Sequence, residues 1–280
     1  MASEARFVEN RTRLVSHFDE YKYRALRSAT SVAIANGFRT RDAQGDGWAK
    51  LWEKNEQDLW DRGQPSPALT TFLEEHPYRE TLFQDKTRRQ LKAFVPGCGK
   101  GHDVALLARH RFKTWGLEIS QGAVDVANQN VKSYLEPSAG HHADVVLGDF
   151  FKKDIEAHLG PDFHGFDLIY DYTFLCALLP EMRKDWAERM KSLLSPTGVL
   201  VCLEFPMWKP LKDQGPPWGL NGVHWNLLAE GADGLFDESG NLLGGGQEKG
   251  SFERVVYWKP PVSFKQSRGE DMLSVWKLKQ

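Results

Sequence analysis

Residues 91–120 constrain more than any other stretch how this chain can fold. They read LKAFVPGCGKGHDVALLARHRFKTWGLEIS, so a short apolar run is followed by the glycines Gly97, Gly99 and Gly101 and then by a helical pattern. A second apolar run closes on Glu118. In doubly wound sheets this order of strand, glycine turn, helix and strand places a nucleoside beside the turn, with its ribose near the acid that ends the second strand. We therefore expect an α/β fold with a nucleoside site at this turn.

The rest of the chain continues the alternation of strands and helices. Strand patterns follow at residues 143–147, 166–170 and 199–205, with helical patterns between them at 121–135 and 180–194. This alternation predicts a mostly parallel sheet with right-handed crossovers, whose ligands sit outside the carboxyl ends of the strands. Two alternating runs, 252–258 and 272–278, predict a closing antiparallel hairpin, which brings the sheet to seven strands.

The N-terminal part of the chain has a different pattern. Residues 1–46 are charged and only weakly periodic, which predicts a helical extension or cap ahead of an α/β domain over residues 47–280. The polar run at 37–47 predicts a connector. A helix is expected to restart near Ser66 and continue to Glu75.

Charge and cysteine content narrow the class of protein. The formal net charge is −2, so no overall positive field attracts a polyanion, and we expect no nucleic-acid partner. The three cysteines are not spaced as a metal pair, which predicts a reducing compartment and no metal site. No apolar run has the length of a signal peptide or a membrane span, so we predict a cytoplasmic protein without a membrane partner. The sequence leaves the oligomeric state open and is compatible with a monomer.

The spacing around the glycine turn distinguishes between nucleoside cofactors. A dinucleotide site requires G-x-G-x-x-G and a helix N-terminus that can hold a pyrophosphate. Here the spacing is G-x-G-x-G, and Asp103 near the helix start is expected to repel phosphate. S-adenosyl-L-methionine carries no phosphate, and its cationic sulfonium suits an acidic and aromatic site. We therefore expect S-adenosyl-L-methionine as the cofactor and S-adenosyl-L-homocysteine as its product.

The ends of the predicted strands supply the expected cofactor contacts. The glycine turn allows the backbone to approach the methionine and ribose, while Glu118 accepts hydrogen bonds from the ribose hydroxyls. Asp149 accepts a hydrogen bond from the adenine amino group, and Phe150 packs on its ring. Aromatic faces for the sulfonium come from a tryptophan-rich segment, whose alternative role is core packing. The predicted contacts are Trp48, Trp52, Trp60, Gly97, Gly99, Gly101, Glu118, Asp149 and Phe150.

Collinear segments between Gly47 and Trp218 carry a family resemblance. They read GWAKLWEKNEQDLWDRGQPSP, AFVPGCGKGHDVALLA, WGLEIS, GDFF, FDLIYDYTFLCALLPEMRKDWAERMKSLLSPTGVLV and GPPW. This set resembles the thiopurine S-methyltransferase family, and most closely its halide/thiol methyltransferase branch. The resemblance implies a Rossmann-like class I methyltransferase fold that uses S-adenosyl-L-methionine. It also implies that Tyr172 is a cofactor contact, beside the residues named above.

The end of the fourth strand, at Asp171 and Tyr172, is where we expect the acceptor to meet the methyl group. A thiol has a pKa of about 8.5, so a few per cent is already thiolate at neutral pH and no strong base is required. The predicted activity is therefore S-methylation of a small thiol. Methylation of halide, oxygen or nitrogen is the alternative, and a hydroxyl acceptor would need a base from His102, His224, Asp171 or Tyr172. A non-catalytic regulatory module that binds the same cofactor is a second alternative.

Overall fold

The computed structural model describes residues 2–28, 41–83, 89–135 and 140–280. The strands are β1 (Lys92–Pro96), β2 (Lys113–Glu118), β3 (His142–Leu147), β4 (Phe166–Tyr172), β5 (Leu194–Glu204), β6 (Phe252–Trp258) and β7 (Met272–Leu278). The α-helices among the described residues are α1 (Ala2–Ser28), α2 (Arg41–Glu53), α3 (Pro67–Glu75), α4 (Arg79–Phe83), α5 (His102–Arg109), α6 (Gln121–Tyr134), α7 (Arg183–Leu193) and α8 (Val223–Leu228).

The seven strands form one sheet in the order β3-β2-β1-β4-β5-β7-β6. The first five strands pair in parallel, and β7 pairs antiparallel with both β5 and β6. The predicted α/β fold, with a mostly parallel seven-stranded sheet that ends in an antiparallel hairpin, is confirmed. The reversal of strand order between β1 and β4 places a ligand site at the carboxyl ends of the central strands.

The central strands are apolar on both faces because helices cover the sheet on each side. In β1, Phe94 packs into one hydrophobic cluster, whereas Ala93 and Val95 pack into the cluster on the opposite face. Helix starts follow the sequence signals: the hydroxyl oxygen of Ser66 accepts from the Leu69 backbone N–H, and that of Ser120 accepts from the Ala123 N–H. The cap at Ser66 confirms the predicted restart of the helix.

The predicted connector at 37–47 is wrong from Arg41 onward, because α2 begins there; residues 37–40 lie outside the described residues. Gly47 serves helix packing rather than a turn. A Cβ atom at this position would lie 2.5 Å from the ring of Phe18 on α1. Helix α2 crosses the boundary proposed at residue 46, so the division into extension and domain stays a prediction.

The run Ser195–Gly198, which sequence patterns favour as a turn, lies inside β5. Leu194 pairs with Phe166, and Val199 pairs with Leu168, so three extra residues of β5 are accommodated as a bulge. Gly198, whose residue type favours a turn, therefore lies inside a continuous strand.

In the described part of the chain, no helix combines the length and apolar character needed to cross a bilayer.

Candidate active site

A cavity of about 530 Å³ lies at the carboxyl ends of the central strands and is covered by α2. The strand ends contribute Gly97, Glu118, Gly148 and Thr173 to its wall. This is the location expected for ligands of a parallel α/β sheet. The cavity brings together most of the predicted cofactor contacts, namely Trp48, Trp52, Trp60, Gly97, Gly99, Glu118, Asp149 and Phe150.

The glycine turn after β1 depends on left-handed backbone conformations. Gly97 and Gly99 have φ angles of 54° and 58°, which side chains other than glycine rarely adopt. A Cβ atom at Gly97 would lie 2.3 Å from the ring of Phe174, whereas one at Gly99 would meet no atom within 4 Å. Gly97 therefore permits close packing of the following loop, and Gly99 leaves open space in the cavity for a ligand.

Glu118 connects the two central strands at this turn. Its Oε1 accepts a hydrogen bond from the Gly99 backbone N–H at 2.6 Å, and its Oε2 accepts one from the Ile119 N–H at 3.3 Å. Burial raises the pKa of the Glu118 carboxyl to about 7. A carboxylate offers about four lone-pair positions, so acceptor capacity remains for two hydroxyl donors. This donor and acceptor pattern fits the ribose of S-adenosyl-L-methionine.

The opposite wall combines a carboxylate with apolar surface. The Oδ1 atom of Asp149 accepts from the Phe151 backbone N–H at 2.9 Å. Phe150 is only 4% exposed and packs edge-on against Phe151, so it forms the base of the wall rather than an open face. Ile119 and Leu147 line the same cavity and are 39% and 44% exposed. The sequence reasoning missed these two residues, although Ile119 directly follows Glu118 and Leu147 lies two residues before Asp149.

The three tryptophans serve both of the roles considered from the sequence. Trp60 packs edge to face against Trp48 and Trp52, with ring centroids 5.3 and 5.6 Å apart. Trp52 is 6% exposed, so most of its surface is buried in the protein. All three nevertheless line the cavity. The aromatic cluster therefore forms a rigid wall of the site as well as a small core beneath α2.

Helix α2 is fastened over the cavity by side chains that sequence reasoning did not identify. Gln44 donates a hydrogen bond from Nε2 to the Ala177 carbonyl and accepts one at Oε1 from the Leu179 N–H at 3.2 Å. Arg41, the first residue of α2, forms an ion pair with Asp185 on α7. Both residues fall in the run predicted as a connector, which explains why they were missed.

Three predicted site residues do not line the cavity. Gly101 precedes α5, and a Cβ atom there would lie 2.7 Å from Val131, so its role is helix packing. The Oδ2 atom of Asp171 accepts from Trp186 Nε1–H at 2.8 Å, and its Oδ1 accepts from a backbone N–H. Tyr172 packs on aromatic rings, including that of Phe205 at 6.0 Å between centroids. Asp171 and Tyr172 therefore support the wall from behind, and their predicted contacts with ligand find no geometric support here.

None of the four candidate bases considered from the sequence lines the cavity. The Nε2 atom of His102 lies 3.1 Å from Asp61 Oδ1, and His224 is buried, which lowers its pKa to about 3.

Asp103 also has a role other than the one expected. Its Oδ1 accepts from the Ser66 backbone N–H at 2.7 Å, so it tethers the start of α3 rather than facing a ligand.

Comparison with known proteins agrees with this geometry. The family model described as thiopurine S-methyltransferase matches residues 43–233. A probable thiol methyltransferase 2 from Arabidopsis thaliana is 31% identical over 78% of this chain and 86% of its own length. Thiocyanate methyltransferase 1 from the same plant is 35% identical over 65% of this chain and 70% of its own length. A thiopurine S-methyltransferase from Pseudomonas fluorescens is 29% identical over 68% of this chain and 89% of its own length.

Solved structures with a similar fold include the magnesium protoporphyrin IX methyltransferase of Synechocystis PCC 6803. Its TM-score is 0.54 at 14% sequence identity, with 84% of this chain and 100% of that chain covered. At this identity the similarity concerns the fold alone. The family model, in contrast, covers more than half of the sequence and includes the glycine turn, Glu118, Asp149 and the tryptophans. The chain therefore belongs to the thiopurine S-methyltransferase family and is an S-adenosyl-L-methionine-dependent methyltransferase.

Proposed function

We propose that this enzyme transfers the methyl group of S-adenosyl-L-methionine to the sulfur of a small thiol. The observation that carries this proposal is the joint position of the glycine turn, Glu118 and three tryptophans on one cavity. When bound, S-adenosyl-L-methionine supplies a methyl carbon that its sulfonium charge activates. The relatives named above as thiol, thiocyanate and thiopurine methyltransferases support sulfur as the acceptor atom.

Each wall of the cavity has a distinct role in cofactor binding. Glu118 holds the ribose hydroxyls, and the backbone at Gly99 lets the cofactor approach closely. Asp149 binds the adenine amino group, while Ile119 and Leu147 offer exposed apolar surface to the purine ring. Four carboxylates and two basic side chains line the cavity, which favours a cationic ligand. The charged residues are Asp46, Glu118, Asp149, Asp154, Arg41 and Lys152.

The tryptophans act on the reacting end of the cofactor. Their fixed edge-to-face packing presents aromatic surface to the sulfonium, an arrangement that attracts cations by roughly 0.5–2 kcal/mol. Because the tryptophan rings pack against one another, they also restrict the direction from which an acceptor approaches. Methyl transfer is an in-line displacement, and alignment of this kind can supply roughly 7–11 kcal/mol of the barrier.

The positions of the four candidate bases favour a soft acceptor over a hydroxyl. The four candidate bases lie behind the wall or elsewhere in the fold, so the described lining offers none of them to deprotonate an alcohol. A thiol of pKa about 8.5 loses its proton to solvent readily enough to react as the thiolate. Halide or thiocyanate needs no deprotonation and is the second candidate class, which the thiocyanate methyltransferase relatives favour.

Paired acceptors test this proposal. Purified enzyme with S-adenosyl-L-methionine is given methanethiol or methanol, which differ in the acceptor atom, and S-adenosyl-L-homocysteine formation is followed by mass spectrometry. We expect turnover with methanethiol and none above background with methanol. Calorimetry with S-adenosyl-L-homocysteine separates the regulatory alternative from catalysis. Binding without turnover of any acceptor would support a non-catalytic module, and turnover of methanol alone would overturn the assignment to sulfur.

A further inference from the structure

A second, smaller cavity adjoins the cofactor cavity on the side of α1. Its volume is about 40 Å³, and it shares Trp48, Trp60, Thr173 and Ala177 with the larger cavity. A water molecule needs roughly 10–15 Å³ on the same measure, so the space suits about three heavy atoms. The shared residues lie between the two cavities. A small molecule in the second cavity is therefore placed next to Trp48 and Trp60, which are proposed above to face the reacting end of the cofactor.

The charge of this second cavity is positive. Among the residues that line it, the charged side chains are Arg11 from α1 and Arg62 from the segment after Trp60, and no carboxylate is present. Apolar groups such as Leu14 and Phe205 form much of the remaining wall. Two guanidinium groups beside a small apolar space favour an anion over a neutral or cationic ligand, since low polarity strengthens the attraction.

Arg62 has an unused capacity to bind an anion. Its Nη1 atom donates a hydrogen bond to the backbone carbonyl of Asp61 at 3.3 Å. The Asp61 carboxylate is already engaged, because Lys100 Nζ and His102 Nε2 each lie 3.1 Å from its oxygens. Within the described residues, Arg62 forms no ion pair, and burial lowers the pKa of its guanidinium. Arg183, in contrast, is buried but donates to the carbonyls of Gly234 and Gly219.

Like Arg62, Arg11 forms no ion pair among the described residues, whereas two neighbouring arginines on α1 do. Arg6 and Arg13 each lie 3.5 Å from an acid in the segment that faces this helix, Asp58 and Glu56 respectively. For Arg11 the described residues include no such acid, and its guanidinium carbon lies 5.7 Å from the ring centroid of Trp208. The helix thus pairs two of these arginines with protein carboxylates and leaves the third beside the cavity.

Lys209 adds to the positive character of this region without entering the cavity. Its Nζ atom donates to the Gln214 and Pro217 carbonyls, the second at 2.6 Å, and so holds the proline loop that closes the wall. Burial, followed by repulsion from Arg11, lowers the pKa of Lys209 to about 8. The repulsion places Arg11 within electrostatic reach of this loop, so an anion between them would relieve like-charge contact.

We propose that Arg62, with Arg11, binds the acceptor as an anion in the second cavity and restricts efficient acceptors to soft anions of about three heavy atoms. Bisulfide, thiocyanate and iodide have this chemistry. The inference rests on the proposed function, and it adds the residues that select the acceptor. A bicyclic thiol exceeds the space available, so its use requires the wall to move.

The charges determine which kinetic constant Arg62 controls. The acceptor atom uses a lone pair to form a bond to the methyl carbon, while the bond from that carbon to the sulfonium sulfur breaks and its electron pair stays on the leaving sulfur. An anion and a cation thus become two neutral products, and no proton moves. Because the negative charge fades toward the transition state, Arg62 stabilises the bound acceptor more than the transition state. Its loss should therefore raise KM more than it lowers kcat.

Binding of iodide, a fluorescence quencher, to the enzyme saturated with S-adenosyl-L-homocysteine tests this directly. Trp48 and Trp60 line the cavity, so iodide is expected to quench tryptophan fluorescence with a saturable component at constant ionic strength. We expect Arg62→Gln to weaken that component by about tenfold or more, as for loss of a charge-assisted hydrogen bond. Arg62→Lys should retain most of it. Arg109→Gln, which changes an exposed arginine of α5, should match the wild type.

Steady-state kinetics with thiocyanate give the second readout. We expect KM to rise about tenfold or more in Arg62→Gln while kcat stays within about threefold of the wild type. Equal iodide affinity and equal KM in Arg62→Gln and wild type would overturn this inference and leave the proposed function intact, provided that S-adenosyl-L-homocysteine still binds. If the wild type binds no S-adenosyl-L-homocysteine, the proposed function itself fails. If Arg62→Gln does not fold, Arg11→Gln decides, because unchanged iodide affinity there contradicts the joint site.

Discussion

The Oε1 atom of Glu118 lies 2.6 Å from the backbone nitrogen of Gly99. The acid that ends the second strand therefore holds the glycine turn that follows the first. The same carboxylate faces the cavity proposed for the cofactor, so it organises the turn and keeps acceptor capacity for a ligand. The hydrogen bond from the Gly99 N–H to this carboxylate therefore helps to hold the left-handed backbone of the turn.

Replacement of Glu118 tests its proposed contact with the ribose. Glu118→Ala should weaken S-adenosyl-L-homocysteine binding by about 1.5–3 kcal/mol, because hydrogen bonds to a charged group are lost. Glu118→Gln keeps an oxygen that can accept from the Gly99 N–H, so it should lose part of the affinity with less disturbance of the turn. Isothermal calorimetry measures both. Wild-type affinity in the alanine variant would refute the contact.

The pKa of Glu118 predicts how cofactor affinity depends on pH. Burial raises this pKa to about 7 in the free protein, and ribose hydroxyls favour the ionised carboxylate, so binding should lower the pKa and release a proton. Affinity for S-adenosyl-L-homocysteine should therefore rise with pH and level off above 7, with a Kd at pH 6 up to about tenfold higher than at pH 8. Glu118→Gln removes the titrating group. A slope that survives in this variant would assign the pH dependence elsewhere.

Sequence patterns identify the central part of the fold because the signals there are local. The glycine turn, the acid after β2 and the alternating hairpin strands all depend on neighbouring residues, and the structure has them at the expected positions. The position of α2 depends instead on contacts distant in sequence. Gln44 bonds to residues 133 and 135 positions away, and Gly47 faces Phe18, so a polar and glycine-containing run becomes helical.

The same distinction applies to the candidate site. Trp48 and Glu118 are recognisable from type and spacing, and both line the cavity. Asp171 also lies at the end of a predicted strand, but its side chain is behind the cavity wall. Its carboxylate accepts a hydrogen bond from Trp186, a partner that the local sequence does not reveal. Ile119 and Leu147 resemble ordinary apolar residues in sequence. Only the fold leaves their surfaces exposed beside a cavity.

Gln44 is expected to hold α2 closed over the cofactor. Gln44→Ala leaves the Ala177 carbonyl and the Leu179 N–H without their partner, a loss of about 1–3 kcal/mol. Because α2 carries Trp48 and Trp52, this change should weaken S-adenosyl-L-homocysteine binding and expose α2 to proteolysis. Gln121→Ala provides the control, since the exposed Gln121 donates a hydrogen bond to Asp125, which is also exposed on α6. Equal protection of α2 in both variants would contradict a fastening role for Gln44.

Asp171→Asn distinguishes a structural carboxylate from one that contacts the acceptor. Both oxygens accept hydrogen bonds in the buried wall, and an amide would turn its NH₂ group toward one of the two donors. We expect a loss of about 1–3 kcal/mol in unfolding free energy. In the folded variant, KM for the thiol acceptor should stay within about twofold of wild type. A stable variant with a strongly raised acceptor KM would restore the role predicted from the sequence. Asp144→Asn, at an exposed position, is the control.

The pH dependence of turnover should separate thiol from halide acceptors. With S-adenosyl-L-methionine saturating, kcat/KM for a thiol should rise with pH toward the thiol pKa of about 8.5, because the thiolate is the reacting form. Iodide carries its charge at every pH, so its profile above pH 7.5 should be flat. Paired rate measurements on one enzyme preparation compare the two directly. A flat thiol profile that depends on His102 or His224 would indicate an enzymatic base.

The central claim is that this cavity transfers a methyl group from S-adenosyl-L-methionine to sulfur. Its most direct test is mass spectrometry after incubation of the enzyme with methyl-deuterated S-adenosyl-L-methionine and a mixture of small thiols, bisulfide, thiocyanate, iodide, alcohols and amines. We predict deuterated methyl groups on sulfur products, in amounts equal to the S-adenosyl-L-homocysteine formed and greatly reduced in Glu118→Ala at limiting cofactor. Label on oxygen or nitrogen products alone, or no labelled product although S-adenosyl-L-homocysteine binds, would contradict it.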